Sequence, residues 1–433
     1  MKRPSLTSLS RWTLLALLPL SLSWATLGCG DEAETTVASD RLSDAEPQPS
    51  AQPLTLSKEN TAIPLRPPLR RGDEYRGDLT LIKTNSSFDT LTNQLGAAVI
   101  TLQVLDEREA TTSPEDPQQN PAPFQAGKRS RDLVAEIDGA LTESGNPDWA
   151  EYVLVVDLFR LKRNWLVRWD GTNIRQFEEP GEYGLWRDDM RQDLKAIMVG
   201  AVNELLGRGK PLKRVVFGVG MERLLASSDG GVNPTDYANF VTLFREVKAE
   251  LATQAPEVEV SAGLNWDNLV THVAALYTAT GKLEDVKFGE IRAAWRDVAE
   301  PLYADADFIA LSSEPDPSLY NGNPANLPQS HYALLAEVQG PRPVVWHSIH
   351  WPVESKAVKA LQDDYLERFL ALNGGNDVAL VSWKHLIDLP EGAADCNSLV
   401  SLGASPSDCY AGLFSDSVAP TDLSDSYLPA ASE

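Results

Sequence analysis

The sequence predicts a (β/α)8 barrel, an α/β fold in which eight parallel strands alternate with helices. Short apolar runs alternate with longer amphipathic stretches from about residue 77 onward. The runs are nearly continuous in apolar residues, as expected for parallel strands that are covered on both faces. No glycine-rich phosphate-binding loop follows any of these runs, so a doubly wound open sheet is the second choice.

Eight runs are predicted as strands, and the first of them has the weakest pattern. They are residues 78–83, 97–104, 152–159, 214–220, 258–264, 307–313, 343–349 and 377–383. The barrel is expected to span residues 71–415, with its site at the carboxyl ends of the strands.

Amphipathic helices are predicted between the strands, because apolar residues recur there at helical spacing. The stripes are Leu194, Ile197, Ala201 and Leu205 in 188–206, Phe240, Phe244, Val247 and Leu251 in 235–251, and Leu361, Tyr365, Phe369 and Leu372 in 355–373. Thr235 is predicted as an N-cap after Pro234. Gly374 and Gly375 are predicted to end the last helix.

The N-terminus predicts export and lipid anchoring. Lys2, Arg3 and Arg11 precede an uncharged apolar run at 12–27, which is too short for a transmembrane helix and fits a secretory signal. The ending Thr26-Leu27-Gly28-Cys29 resembles a bacterial lipobox. Residues 1–28 are therefore predicted to be a lipoprotein signal peptide, with Cys29 lipidated on the periplasmic or cell-surface face of a membrane. The alternative is an ordinary signal peptide that leaves Cys29 as a free thiol.

Composition divides the remainder of the chain. Residues 29–70 are acidic and rich in Ser, Thr, Ala and Pro, which predicts a disordered linker. Residues 416–433 are predicted to be a loose C-terminal tail. Cys396 and Cys409 are predicted to form a disulfide in an oxidising compartment, with two unpaired thiols as the alternative.

Charge and the residues at the strand ends point to a carbohydrate partner. The formal charge of −24 argues against nucleic acid, because phosphate binding needs a basic face. Carboxylates, amides and tryptophans follow several strands, and this mixture suits sugar hydroxyls and sugar rings. The expected protein is a monomer that binds a polysaccharide without a cofactor.

The order of elements over about residues 150–415 resembles the clan of retaining glycoside hydrolases with (β/α)8 barrels, which includes endo-galactanases and many cellulases. The stretch "PVVWHSIHWP" is similar to that clan's strand-seven motif, with Trp351 and Pro352 in register. The resemblance implies that Glu222 is the acid/base and that Trp383 is the sugar-stacking residue after strand eight.

Several positions depart from the clan's pattern. Ser348 stands at the nucleophile position, His350 at a glycine of the same motif, and Met221 at the asparagine before the acid. Glu314 replaces a tyrosine after strand six, and Asp157 begins a remnant of an Asp-x-His motif. Since a serine hydroxyl is too weakly acidic to replace the carboxylate nucleophile unaided, the usual mechanism needs another acid.

These residues form the predicted site. Glu222 and Glu314 are the predicted catalytic carboxyls. The predicted substrate-binding residues are Asp157, Asn265, Trp266, His347, Ser348, His350, Trp351 and Trp383. Glu222 could instead pair with Arg223 or Lys213, and Glu314 could cap a loop or pair with an arginine.

Two other chemistries are weighed and set aside. Ser348 and His350 share a strand face, but the serine lacks a nucleophile elbow. His347 and His350 point to opposite faces of a strand, so they and His385 do not predict a metal site.

Two functions remain open. The protein cleaves a β-glycosidic bond in a polysaccharide with Glu222 as acid/base, or it is an inactive pseudo-glycosidase that binds glycans at the cell surface.

Overall fold

In the computed structural model, the described residues all belong to one compact unit. The structure describes residues 52–65, 95–103, 149–158, 167–169, 174–176, 185, 188–225, 234–353, 355, 358–388, 410–414 and 427. The predicted signal peptide, Cys29, Cys396 and Cys409 lie outside these residues, so lipidation and the disulfide stay predictions.

Nine strand segments form one parallel sheet that closes into a barrel. The strands are β1 Thr61–Leu65, β2 Ala97–Gln103, β3 Glu151–Asp157, β4 Leu212–Phe217, β5 Glu259–Ser261 with Gly263–Asn265, β6 Ile309–Ser313, β7 Val344–Ile349 and β8 Val378–Trp383. The first half of β5 pairs with β4 and the second half pairs with β6. Because only Ala262 separates the two halves, the nine segments amount to eight strands.

Helices follow most of the described strands. They are α1 Asp188–Gly207, α2 Pro234–Gln254, α3 Trp266–Asn268 with the π-helical Leu269–Val273, α4 Phe288–Ala294 continued by Trp295–Ala299 and Glu300–Tyr303, α5 Ala333–Val338 and α6 Ala360–Leu372. The shorter 3-10 helices are Lys58–Asn60, Met221–Leu225, Leu283–Asp285, Pro317–Tyr320 and Pro324–Asn326. None of the helices in the described ranges has the length and apolarity to cross a membrane.

Two short strand pairs lie outside the barrel. Val167–Trp169 and Ile174–Gln176 are antiparallel, whereas His385–Ile387 and Gly412–Phe414 are parallel.

Alternating side chains separate two apolar cores. The smaller core contains strand residues and Phe308 but no helix residue among those described, so it is the barrel interior. Its buried members are Ala62, Ala97, Val99, Val153, Val155, Val216, Phe308, Ala310, Val345 and Leu380. The larger core combines the opposite strand positions with the helices. Since side chains alternate along a strand, this division shows which residues face the interior at each strand end.

The predicted strands from 97–104 to 377–383 are confirmed, with their ends shifted by up to three residues. The predicted first strand at 78–83 lies outside the described residues. The first strand of the barrel is instead β1, Thr61–Leu65, which pairs with β2 and β8. Its pattern is weak in sequence because it is five residues long and contains Pro64, which lacks a backbone donor.

The predicted linker at 29–70 is therefore wrong at residues 52–65, which are ordered parts of the barrel. The backbone N–H of Leu54 donates to the carbonyl of Leu370 in α6 at 2.9 Å. Gly374 lies against the backbone of Gln52, where a Cβ atom would come within 1.9 Å of the Gln52 carbonyl oxygen. This segment packs against the end of a neighbouring helix, and composition does not reveal such a partner.

The predicted helix stripes are largely confirmed, with one error at a helix start. Leu194, Ala201 and Leu205 of α1 are buried, and so are all four predicted stripe residues of α2. The side chain of Ile197 lies outside the described ones. Thr235 is not an N-cap, because α2 already begins at Pro234. Proline suits the first helical position, where its missing N–H costs nothing.

The C-terminal tail is anchored at Tyr427, which is fully buried. Its hydroxyl lies 2.7 Å from the carbonyl oxygen of Ala62 in β1 and 2.8 Å from that of Val381 in β8. The ring packs on Trp383 with centroids 6.4 Å apart. The expectation of a loose tail over 416–433 is wrong at this residue, which closes the outer side of the β1–β8 seam.

Replacing Tyr427 with phenylalanine is expected to lower the free energy of unfolding by about 1 kcal/mol, the net value of a buried hydrogen bond. The ring and its packing stay in place, so the loss reports the hydroxyl alone. Urea unfolding at constant pH measures it. An unchanged midpoint in Tyr427→Phe would contradict this anchoring role.

Candidate functional site

The carboxyl ends of the strands bring five polar side chains to the inner face of the barrel. Asp157 follows the inward positions of β3, Asn265 those of β5, Glu314 those of β6, His347 those of β7 and Lys384 those of β8. Side chains alternate between the two faces of a strand. Each of these five residues lies two or four residues after an interior position, or one residue after an exterior position, so its side chain is placed on the inner face. The polar edge predicted from sequence therefore forms at the end where barrel enzymes carry their sites.

Glu314 is an ionised carboxylate that lies close to basic side chains at this edge. Its Oε1 lies 3.0 Å from Nζ of Lys384 and 3.7 Å from Nδ1 of His350, and 26% of its side chain is exposed. Burial favours the neutral acid, but Lys384, His350 and Arg223 outweigh burial and hold the pKa of Glu314 well below its usual range. The carboxylate is thus an anion at any physiological pH. It can serve as a nucleophile, a base or a ligand for a cation, but not as a proton donor.

Asp267 fixes the backbone beneath Glu314. Its Oδ2 accepts from the Glu314 N–H at 2.6 Å and from the Ser313 hydroxyl at 2.8 Å. Its Oδ1 lies 2.9 Å from Nε2 of His331. Asp267 is 5% exposed, so these bonds lie in a largely dry setting. They tie the ends of β5 and β6 together and set where Glu314 projects.

The same network extends to two tyrosines on the outer side of the barrel. The Ser313 hydroxyl accepts from the Tyr365 hydroxyl at 2.9 Å and lies 2.7 Å from the Tyr332 hydroxyl. Burial raises the pKa of both tyrosines well above the usual value, so both remain neutral donors. This supporting layer links β6 to α6 and keeps the strand end rigid.

Glu222 lies in the 3-10 helix Met221–Leu225 after β4 and is only 1% exposed. Its Oε2 accepts from the backbone N–H of Asn265 at 3.0 Å, and its Oε1 accepts from the side-chain amide of Asn268 at 3.0 Å. Burial raises the pKa of Glu222, while Arg223 and the two hydrogen bonds oppose that shift. Both oxygens are therefore engaged in holding the end of β5, and neither faces solvent. The acid/base role stays a prediction.

Replacing Glu222 with leucine is expected to cost about 2 kcal/mol in unfolding free energy, because it leaves the buried Asn265 N–H and the partly buried Asn268 amide without an acceptor. Glu222→Gln is the matched control. Its amide oxygen can accept from Asn265, and a turned Asn268 amide can accept from its NH2 group. The glutamine variant is expected to lose less than about 1 kcal/mol. Equal losses in both variants would contradict the hydrogen-bonding role.

The predicted sugar-stacking role of the three tryptophans needs correction. Trp266, Trp351 and Trp383 are each 0% exposed. The indole N–H of Trp266 donates to the His331 carbonyl at 3.0 Å, and that of Trp383 donates to the Ala411 carbonyl at 2.8 Å. Trp266 and Trp383 directly neighbour inward-facing residues, so alternation turns them outward, towards the helices. None of the three presents a face to a ligand.

The strand-seven residues are buried as well. His347 is 3% exposed and lies near Gly263 in the interior, where a Cβ on that glycine would be 3.1 Å from Nε2 of the histidine. Ser348 is 8% exposed, and its hydroxyl has no hydrogen-bond partner among the described residues. The register with β6 shifts between Trp346 and Ser348, which marks a bulge at this point. His350 reaches the site through its approach to Glu314. No group of three metal-binding side chains is found within the described ranges.

The two predicted hydroxyl-binding residues differ in their surroundings. Asp157 is half-buried at the end of β3. Asn265 is 6% exposed, and its side-chain oxygen accepts from the backbone N–H of Asn268 at 2.9 Å. Asn265 therefore caps α3 and keeps only its amide NH2 for another partner.

The structure places three residues at the site that the sequence did not predict there: Lys384, Asp267 and Arg223. Lys384 could have been found from alternation, because it lies four residues after the inward Leu380. The contact between Lys384 and Glu314 joins β8 to β6 past the end of β7, and no local pattern encodes it.

No protein-family model matches the sequence, and no curated protein is detectably similar to it. Solved structures share its fold. An exo-β-1,4-mannosidase from Opitutaceae bacterium strain TAV5 has a TM-score of 0.51 at 13% identity over 87% of this chain and 60% of its own. GH5_18 from Bifidobacterium longum subsp. longum has a TM-score of 0.52 at 12% identity over 86% and 78%. A GH5_18 variant from Streptomyces cattleya in complex with Manβ1-4GlcNAc has a TM-score of 0.51 at 10% identity over 81% and 74%.

These similarities show the fold alone, because the identities are so low. The chain spans 60% of the length of the mannosidase. The predicted resemblance to (β/α)8 glycoside hydrolases is confirmed at the level of the barrel, and the chemistry rests on the site itself.

Proposed function

We propose that the carboxyl end of the barrel binds a glycan and does not cleave it by the retaining mechanism. The observation that carries this proposal is the closed position of Glu222. Its two oxygens are held by Asn265 and Asn268, and the residue is 1% exposed. A general acid must reach the leaving-group oxygen, and this carboxyl faces the protein interior.

The glycan class is proposed from the barrel and from its polar edge. Two of the structural neighbours are a β-1,4-mannosidase and a protein in complex with Manβ1-4GlcNAc. Asp157, the Asn265 amide and Glu314 offer the hydrogen-bonding groups that sugar hydroxyls need. A β-1,4-linked mannan is therefore the first ligand to test.

Two further residues support the proposal that the retaining mechanism does not operate. Ser348 occupies the place of the expected nucleophile, and a hydroxyl cannot supply the anion that an oxocarbenium-like centre requires. Glu314 could supply the charge, but its Oε1 is paired with Lys384 at 3.0 Å. The ammonium withdraws electron density from that oxygen and lowers its nucleophilicity.

Hydrolysis is the second candidate, because the pKa values of the two carboxyls move in opposite directions. Burial raises the pKa of Glu222, and nearby cations lower that of Glu314. Such a separation suits one carboxyl that donates a proton and another that stays ionised. This candidate requires Glu222 to leave Asn265 and Asn268 when substrate binds.

Calorimetric titration with β-1,4-mannotetraose tests the binding proposal. Saturable binding by the native chain, weakened at least about tenfold in Glu314→Gln, is expected, since a tenfold change corresponds to one lost charged contact. Glu337→Gln is the matched control, because Glu337 is exposed on α5 and pairs with Arg292. Equal binding by both variants would exclude this edge as the site.

We further propose that the chain is exported and lipidated at Cys29. The sequence of residues 1–29 supports it. Incorporation of labelled palmitate in a bacterial host, abolished by Cys29→Ser, is the expected result, and label that persists in the variant would refute it.

A further inference from the structure

Three basic side chains act on the carboxylates of the site edge. Lys384 and His350 both approach Oε1 of Glu314, at 3.0 and 3.7 Å. Arg223, after β4, acts on the same carboxylate and on Glu222.

Arg223 is the least engaged of these three basic side chains. It is half-buried, and within the described ranges its guanidinium makes no hydrogen bond or ion pair. Gly220 leaves room for it: a Cβ there would lie 3.4 Å from Nε of Arg223 and 3.5 Å from Oε1 of Glu222. The positive φ of 62° at Gly220 also favours glycine. The turn therefore accommodates an arginine whose guanidinium has donors to offer a ligand.

Neither of the two glutamates that Arg223 acts on takes up its hydrogen bonds. Glu314 is paired with Lys384 at 3.0 Å. Glu222 accepts from Asn265 and Asn268 with its two oxygens. The Arg223 guanidinium therefore stays available to a carboxylate that a ligand brings to this edge.

We propose that Arg223 binds the carboxylate of a uronic acid unit in the glycan, so that the site selects an acidic polysaccharide. The planar guanidinium matches a carboxylate through two parallel hydrogen bonds, which lysine cannot make. This inference rests on the proposed glycan binding and narrows its ligand to one class.

Two oligosaccharides of equal length isolate the carboxylate. β-1,4-mannotetraose and β-1,4-tetramannuronate share linkage and ring configuration and differ at C6, which is CH2OH in one and a carboxylate in the other. Calorimetric titration of the full chain is expected to show at least about tenfold tighter binding of the mannuronate, the effect of one charge-assisted pair. The preference is expected to shrink as salt rises from 50 to 500 mM, because salt screens a half-exposed pair.

Three variants locate the selectivity. Arg223→Gln is expected to abolish the preference for the mannuronate, and Arg223→Lys is expected to retain only part of it. Arg245→Gln is the matched control for net charge, because Arg245 is exposed on α2 and pairs with Asp305 at 2.6 Å. The control is expected to keep the native preference.

The outcomes separate this inference from the proposal beneath it. Equal binding of both oligosaccharides, or a preference that survives Arg223→Gln, overturns the uronate site and leaves glycan binding intact. If a 6-O-sulfated mannotetraose binds as tightly as tetramannuronate or more tightly, the site recognises anions in general, and the assignment to a carboxylate is overturned. Binding of neither class overturns both proposals.

Discussion

Replacing Arg214 with methionine is expected to lower the free energy of unfolding by about 3–5 kcal/mol. This is the cost of removing one partner of a buried ion pair and leaving the other charge unpaired. Arg214 lies in β4 at the amino-terminal end of the barrel and is 6% exposed. Its guanidinium bonds the Glu151 carboxylate of β3, and its Nε lies 2.8 Å from Oε2 of Glu259 in β5. The methionine leaves the buried Glu151 without its main partner.

Lys213→Met is the matched control for Arg214→Met. Lys213 approaches Oε2 of Glu151 at 3.7 Å, but 51% of its side chain is exposed. An exposed pair of this kind contributes about 0.5 kcal/mol. Guanidinium chloride unfolding of both variants checks the difference, and similar losses would contradict the burial argument.

Replacing Gly263 with alanine is expected to cost about 3 kcal/mol, at the upper end of overpacking. The added Cβ would lie 2.6 Å from the carbonyl oxygen of Gly218 and 3.1 Å from Nε2 of His347. The carbonyl cannot easily retreat, because it accepts from the Gly263 N–H at 3.0 Å. The alanine must therefore separate β4 from β5 where these strands begin the site.

Gly289→Ala is the control for the alanine substitution. Gly289 lies in α4, and a Cβ there meets nothing within 4 Å. That variant is expected to gain about 0.5–1 kcal/mol from helix propensity. Thermal unfolding by circular dichroism compares the two, and a Gly263→Ala protein as stable as the native chain would contradict the close approach of β4 and β5.

The sequence was sufficient to predict most of the barrel, because β2 to β8 are apolar runs whose local pattern requires burial on both faces. It did not predict β1. Thr61–Leu65 is short, contains Pro64, and forms a strand by pairing with β2 and with β8 at the far end of the chain. Such a strand depends on partners that a local window does not contain.

The site was predicted in part for the same reason. Asp157, Asn265 and Glu314 follow recognisable strands, so alternation places them on the inner face. Trp266 and Trp383 each lie one residue away from an inward-facing position. Their positions in the sequence were therefore enough to predict that they point outward. The pairing of Glu314 with Lys384 depends on the curvature of the closed sheet, which no spacing in the sequence encodes.

Mass spectrometry of an acidic oligosaccharide after prolonged incubation with an equal amount of protein tests the central claim most directly. At this ratio a single turnover is visible, so slow hydrolysis cannot escape notice. We expect tetramannuronate to be bound by the native chain and to be recovered intact. Shorter products that disappear in Glu314→Gln or Glu222→Gln would contradict this expectation and would establish the barrel as a hydrolase.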